Sequence, residues 1–432
     1  MFVSLLDNIM VGQVGTYQMS GVSIVNTLFF VFNLCIFGAI AGAGIFSSQF
    51  FGSHNQEGIR HAFRFKILIC LTLTVLVIGL FLTCGADLIG LYLLGEGDPQ
   101  DAASTLQYGL EYLQVMVFGM IPFAISHAYA STLRETNNAI IAMIATVTAV
   151  LVNLVLNYIL IFGHLGLPTM GVKGAAIATV ISRFVELAVV AGWTHLHTDK
   201  NPYIRGAYRS LYIPGKLLKD IFIKGMPLLV NEFLFSLGNA INSQLQSTCG
   251  LEVLPASNIS TTIHNVACVA FIAIGNAVGI IMGQMMGAGE SKESIQDSYR
   301  KTAALSVVAS TVLGIGLVAV SGLFPKIYNT TDEVRTLATK LICVAACSIP
   351  FSAYVHAAYF AMRSGGKTII TLVFDSGFIW AFSIPLTFLL CHFTDLHVVY
   401  IAFVPVAADI LKTAFGYYVI KKGDWIQNLA KR

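Results

Sequence analysis

Charged side chains are scarce in this chain. Asp, Glu, Lys and Arg make up 11% of its 432 residues, less than half of the ~25% usual in soluble domains. None occurs between Asn8 and Gln56, from Ala139 to Gly163, from Val253 to Gly289 or from Thr302 to Pro325. That scarcity excludes an ordinary water-soluble fold, and a net charge of +3 gives no sign of a nucleic-acid partner. The eight cysteines form no Cys-x-x-Cys or Cys/His cluster, the nearest pair being Cys343 and Cys347. This argues against a disulfide framework or a metal site and leaves packing as their role. Walker A lysine motif, nucleotide fold and hydrolytic triad are all missing. The sequence therefore argues against an enzyme and against ATP as an energy source, and it calls for no cofactor beyond a coupled ion.

What the chain does have is apolar length. Hydrophobic residues make up 56% and the mean hydropathy is +0.77. About 20 apolar residues in helix cross the ~30 Å hydrocarbon layer, and helices are one of only two backbone solutions there. Apolar segments fall near 1–14, 22–50, 67–94, 107–131, 138–163, 172–196, 221–248, 256–286, 302–325, 337–361, 368–391 and 397–420. The expected fold class is an all-α polytopic membrane protein of twelve transmembrane helices. Nineteen of the 25 Lys and Arg residues fall on one side of that alternation. By the positive-inside rule this side is cytoplasmic, with both termini there. The first segment, 1–14, reaches only about 21 Å as helix and lacks the basic start of a cleavable signal. The first helix is thus expected to be truncated, with the native start some ~20 residues upstream. The expected setting is the cell membrane, a bacterial inner membrane, with the chain as a monomer in the lipid bilayer.

The chain repeats itself. Gly44 to Gly52 reads G-I-F-S-S-Q-F-F-G and Gly279 to Gly287 reads G-I-I-M-G-Q-M-M-G, so Gly44, Gln49 and Gly52 recur as Gly279, Gln284 and Gly287. Ile121-Pro122-Phe123 recurs as Ile349-Pro350-Phe351, and His127 and Arg134 recur as His356 and Arg363 at an offset of 229. Two six-helix bundles follow: an N-lobe at 1–197, a basic cytoplasmic linker at 198–220 and a C-lobe at 221–432. Six being even, the bundles share an orientation and relate by a pseudo-two-fold axis along the membrane normal, with the substrate between them.

With these motifs placed, the chain resembles the multidrug and toxic compound extrusion (MATE) family. The likeness rests on L-D-N-I-M-V-G at Leu6–Gly12 and on the two G-x4-Q-x2-G helix ends. L-V-N-L-V-L-N-Y-I-L-I-F-G at Leu151–Gly163 and G-V-K-G-A-A-I-A-T-V-I-S-R at Gly171–Arg183 complete it. The resemblance implies a cation-coupled antiporter that exports amphipathic, often cationic, small molecules as its two lobes alternate between outward- and inward-open forms.

Such an exchanger needs groups that hold either a cation or the substrate. Buried carboxylates suit this, since desolvation draws their proton affinity toward working pH, and one at mid-helix costs ~2.5–3.5 kcal/mol on insertion scales. Asp7, Glu232 and Asp375 have no basic residue within four positions and are the candidate coupling acids. Asp7, in the D-x4-G context, falls where the family places its N-lobe cation-binding aspartate. Asn153 and Asn157 align with the polar pair of the family's fifth helix, whose second member is Asp in many relatives. NorM-type relatives carry a glutamate about one turn beyond Glu232. Asp7, Glu232 and Asn231 are the candidate substrate contacts.

Glu186 lies three residues after Arg183 and Asp409 three before Lys412, spacings at which helix-face pairs neutralise each other. His127 and His356 are read as packing residues, with proton relay as the alternative, and Gln49 and Gln284 as frame residues. Phe29, Phe30, Phe32 and Phe235 could face flat cations, but lipid or core contact is the plainer reading. Two other functions stay open: a flippase for a lipid-linked precursor, and a non-transporting membrane scaffold or receptor.

Overall fold

The computed structural model describes residues 10–93, 99–247, 250, 252–328, 330–394 and 396–431. Asp7 lies outside them, as does most of the apolar segment 1–14. Among the described residues eleven helices are long and apolar enough to cross a membrane. They are α1 (Thr16–Gly52), α2 (Gln56–Gly90), α3 (Pro99–Glu135), α4 (Ala139–Phe162), α5 (Gly171–Leu196), α6 (Gly215–Ser247), α7 (Val253–Ala288), α8 (Lys292–Val320) and α9 (Asp332–Ser364). The last two are α10 (Thr368–Phe393) and α11 (Val398–Lys422). No strand occurs among the described residues.

The helices overrun the apolar runs that mark them. α6 starts at Gly215, six residues before the apolar stretch, so Glu232 sits midway along a 33-residue helix. Polar ends are tolerated because the termini carry their own satisfaction. Thr331 caps α9 by accepting from the Val334 amide at 3.4 Å. Asp332 and Glu333 in its first turn and Arg363 in its last complement the helix dipole. α7 stops at Gly289, whose left-handed φ of 80° is strained for most other residues.

The chain divides into two compact units. The first runs through Ser47 and resumes at Gln56–Lys219; the second holds Ser48–Asn55 and Asp220–Arg432. In the first, α3 packs on α2 and α5, and α4 on α5. In the second, α9 is the central element, packed on α7, α8 and α11 and buried along its last two turns from Ala357 to Ser364. Pro122 and Pro350 sit inside α3 and α9, each removing one helical hydrogen bond at a matching place.

The linker region does not hang free. Arg64 of α2 donates to the carbonyls of Ala207 at 2.7 Å, Gly206 at 2.9 Å and Tyr212 at 3.1 Å. Arg60 donates to Tyr203 at 3.1 Å. Tyr203 is buried against Phe63, and burial raises the pKa of both the Tyr203 and the Tyr208 phenols. The segment through Tyr212 thus belongs structurally to the first unit.

The repeated motif has a specific job in the second unit. The Gln49 amide nitrogen donates to the carbonyls of Ser364 at 2.9 Å and Gln427 at 3.0 Å, and its oxygen accepts from the Leu429 amide at 2.6 Å. The two copies also touch each other. A Cβ on Gly287 would sit 2.7 Å from Gln49 Cα, and one on Gly52 would sit 2.7 Å from the Gln284 carbonyl carbon. Only glycine lets these backbones approach so closely.

Candidate functional site

In the first unit α4 and α5 bring together a buried line of amides and hydroxyls. Asn153 donates to the Thr179 hydroxyl at 3.0 Å, and Asn157, one turn on, donates to the Asn153 carbonyl oxygen at 3.2 Å. Both asparagines are fully enclosed. Oxygen donors so arranged can coordinate a hard cation such as Na⁺ by charge–dipole contact, but an amide cannot carry a proton. One turn away along α5, Arg183 donates to Glu186 at 3.1 Å, and Thr146 of α4 donates to the other Glu186 oxygen at 3.1 Å. The Arg183 guanidinium also lies over the Phe123 ring, 4.9 Å from its centroid. The His127 ring packs against that ring with centroids 4.2 Å apart and a 42° tilt. The Arg183–Glu186 pair forms at the spacing expected from the sequence.

In the second unit the pairing differs from that spacing. Lys412 does not pair with Asp409, three residues before it. It reaches across to α10 and donates to Asp375 at 3.3 Å. Asp375, unpaired by sequence distance, therefore has a cation. Its other oxygen accepts from the Asn231 amide at 3.1 Å. Asn231 uses every position it has: its nitrogen also donates to the Tyr359 hydroxyl at 3.3 Å, and its oxygen accepts from Ser376 Oγ at 2.6 Å and from the Ser376 amide at 3.3 Å. Its side-chain orientation is thereby fixed, nitrogen toward the carboxylate.

The helix around Asp375 is wound more loosely. Val373–Gly377 and Ile379–Ser383 form π turns, a widening that frequently accompanies functional positions in helices. No composition or spacing rule signals it. Asp409 accepts a short hydrogen bond from Ser352, whose carbonyl takes the His356 ring nitrogen at 2.7 Å. His356 packs on Phe271 at 4.9 Å. The His356 site thus joins packing with a link toward Asp409 that sequence reasoning missed.

Glu232 follows Asn231 on α6 and is half-buried. Arg363 and Asp375 are the charges that act on it, yet among the described residues it makes no hydrogen bond or ion pair. The structure so brings Asn231, Glu232 and Asp375 together with Lys412 and Tyr359, and separately groups Asn153 with Asn157 and Thr179. Phe32 is buried, while Phe30 is 42% exposed, a mixture that fits core and lipid contact.

The comparisons with known proteins agree with this architecture. The chain matches the MatE family model over residues 1–159 and 227–389. It is 24% identical to the probable multidrug resistance protein NorM of Thermotoga maritima, covering 98% of this chain and 89% of that protein. It is also 24% identical to the probable multidrug resistance protein YoeA of Bacillus subtilis, over 94% and 86%. Among solved structures, a crystal structure of MATE in complex with MaL6 superposes with a TM-score of 0.85 at 18% identity, over 98% of this chain and 92% of that one. The Vibrio cholerae MATE transporter VcmN in its bent form gives a TM-score of 0.80 at 18% identity over the same shares. A family match across well over half of the sequence, carried on the same helical fold, makes this multi-pass membrane protein a member of the MatE family.

Proposed function

We propose that the protein is a secondary active antiporter exporting amphipathic or cationic organic compounds in exchange for H⁺ or Na⁺. The observation that carries this reading is the Asp375 network: a carboxylate deep in an apolar span, held by Asn231 and Lys412 at a stretch of π-helix. Such a group costs ~2.5–3.5 kcal/mol to place in a membrane on insertion scales and marks ion and substrate pathways. Multidrug resistance proteins such as NorM are similar along nearly their whole length, which favours drug-like cargo over a lipid-linked precursor. Asn153 and Asn157, with Asp7 before them, are the proposed N-lobe cation site. Glu232, Asp375 and Asn231 are the proposed C-lobe site, with His127, His356 and Asp409 as secondary polar groups.

The proposed setting is the cell membrane, with a monomeric chain, both ends cytoplasmic and 198–220 as the cytoplasmic linker between lobes 1–197 and 221–432. Reconstitution into liposomes tests the function directly. Ethidium efflux is expected under an imposed proton or Na⁺ gradient and not under ATP alone. Absence of efflux under either gradient, with active protein, counts against the antiporter reading.

A further inference from the structure

The Lys412–Asp375 pair has a near-equivalent in the first unit, and the difference between the two is informative. At the offset of 229 that relates His127 to His356, Arg183 matches Lys412 and Thr146 matches Asp375. Each unit thus places one basic side chain at the same position of its last helix. In the first unit that side chain pairs three residues along its own helix, with Glu186 at 3.1 Å. Such a pair travels with the helix and stays closed whatever its neighbours do. In the second unit the carboxylate comes from another helix, so relative movement of α10 and α11 can open the pair.

The chemistry differs in the same direction. A guanidinium is permanently charged and binds carboxylates in a two-pronged fork, whereas an ammonium is a compact single-point cation on a flexible stem. Exposure differs too: the Lys412 side chain is 6% accessible and Asp375 20%. The lysine is enclosed while the carboxylate keeps an open side. The other charged or titratable groups close to the pair are Glu232 and Asn231's partner Tyr359, both also acted on by Arg363, with Asp409 and His356 beyond Lys412. Among the described residues the ion pair to Asp375 comes from Lys412.

We propose that Lys412 is a tethered cation that occupies Asp375 between transport events and that a monovalent organic cation must displace it to bind. This rests on the antiporter reading above and names the element of that site which sets its affinity. A tethered competitor at high effective concentration weakens the apparent affinity of any free cation by the fraction of time it occupies the site.

The test is equilibrium binding of tetraphenylphosphonium to the purified full chain at one pH. Lys412→Gln removes the competitor, so binding should tighten by about 5- to 150-fold, the usual range of coupling between two ligands. Lys412→Arg installs a stronger, bidentate competitor, so binding should weaken. In an Asp375→Asn background the Lys412→Gln change should lose its effect, which separates competition for that carboxylate from a general change of charge. Size-exclusion profiles identify any variant that fails to fold, and the opposite signs expected of Gln and Arg keep either one informative. Tetraphenylphosphonium binding to wild type with no Gln/Arg ordering, or with an equal Gln effect in the Asp375→Asn background, overturns the tethered-cation proposal and leaves the antiporter reading standing. No binding to wild type counts against both.

Discussion

Gln49 offers the sharpest test of how the repeated helix ends hold the second unit. Its side chain is wholly enclosed and makes three hydrogen bonds, all to backbone: to the carbonyls of Ser364 and Gln427 and from the amide of Leu429. These ties join the end of α1, the end of α9 and the C-terminal tail. Substitution to alanine removes all three at once. Each is worth ~1 kcal/mol net, and a buried donor left alone costs ~1–3 kcal/mol, so the loss should be about 3–5 kcal/mol. At roughly 2–4 °C per kcal/mol for a body of this size, the melting temperature in detergent should fall by about 6–20 °C.

Glutamate at the same position distinguishes hydrogen bonding from volume. Its shape is nearly unchanged, but ionised it turns an acceptor toward two carbonyl oxygens, and protonated it offers one donor where two are needed. Gln49→Glu should therefore also destabilise. Thermal unfolding followed by size-exclusion measures both variants. If both melt within about 2 °C of wild type, less than the shift expected from one kcal/mol, the frame role assigned to Gln49 is wrong.

Three further outcomes are expected. Lys66 of α2 is fully buried and paired with Glu135, so Lys66→Met alone should cost about 3–5 kcal/mol; adding Glu135→Leu should recover most of it in a thermal double-mutant cycle. Asp375→Asn should lower the steady-state ethidium gradient that proteoliposomes sustain. One coupled charge is worth ~2.3 kcal/mol per 100 mV, so its loss corresponds to a ratio of roughly 50-fold. Asn153→Ala removes the donor to Thr179 and the acceptor of Asn157 and should cost about 1–3 kcal/mol. If these amides hold Na⁺, it should also abolish any Na⁺-dependent rise in the wild-type melting temperature.

How much of this was legible in the sequence depends on the distance over which each feature acts. Helix count and class follow from uncharged runs, because the bilayer imposes them locally. The Arg183–Glu186 and Asn153–Asn157 contacts also lie within one helical turn and could be read from spacing. Spacing alone pointed Lys412 to Asp409, which feels its charge, but the direct ion pair goes to Asp375, 37 residues away, and only packing decides between them. The link from Asn153 to Thr179 crosses helices in the same way. The π turns around Asp375 leave no compositional trace at all. Contact between the two copies of G-x4-Q-x2-G was equally invisible, because a repeat states that two segments are alike and not that they meet.

The distinction between frame and chemistry can be argued from these contacts. Gly52, Gly287 and Gln49 are matched residues, and their contacts are backbone approaches and backbone hydrogen bonds, interactions without titratable charge. Such contacts depend on shape, and duplication conserves shape. At the matched positions Thr146 and Asp375, and Arg183 and Lys412, the copies differ in charge and in whether the ion pair lies within one helix or between two. A pair confined to one helix is indifferent to helix movement, whereas one made between helices is sensitive to it. Any cation that binds to Asp375 is then coupled mechanically to the separation of α10 and α11, whereas at Glu186 the tie between helices is a neutral hydrogen bond from Thr146 and the ion pair itself stays within α5. At Asp375 ion binding and movement can for that reason be linked through a single bond.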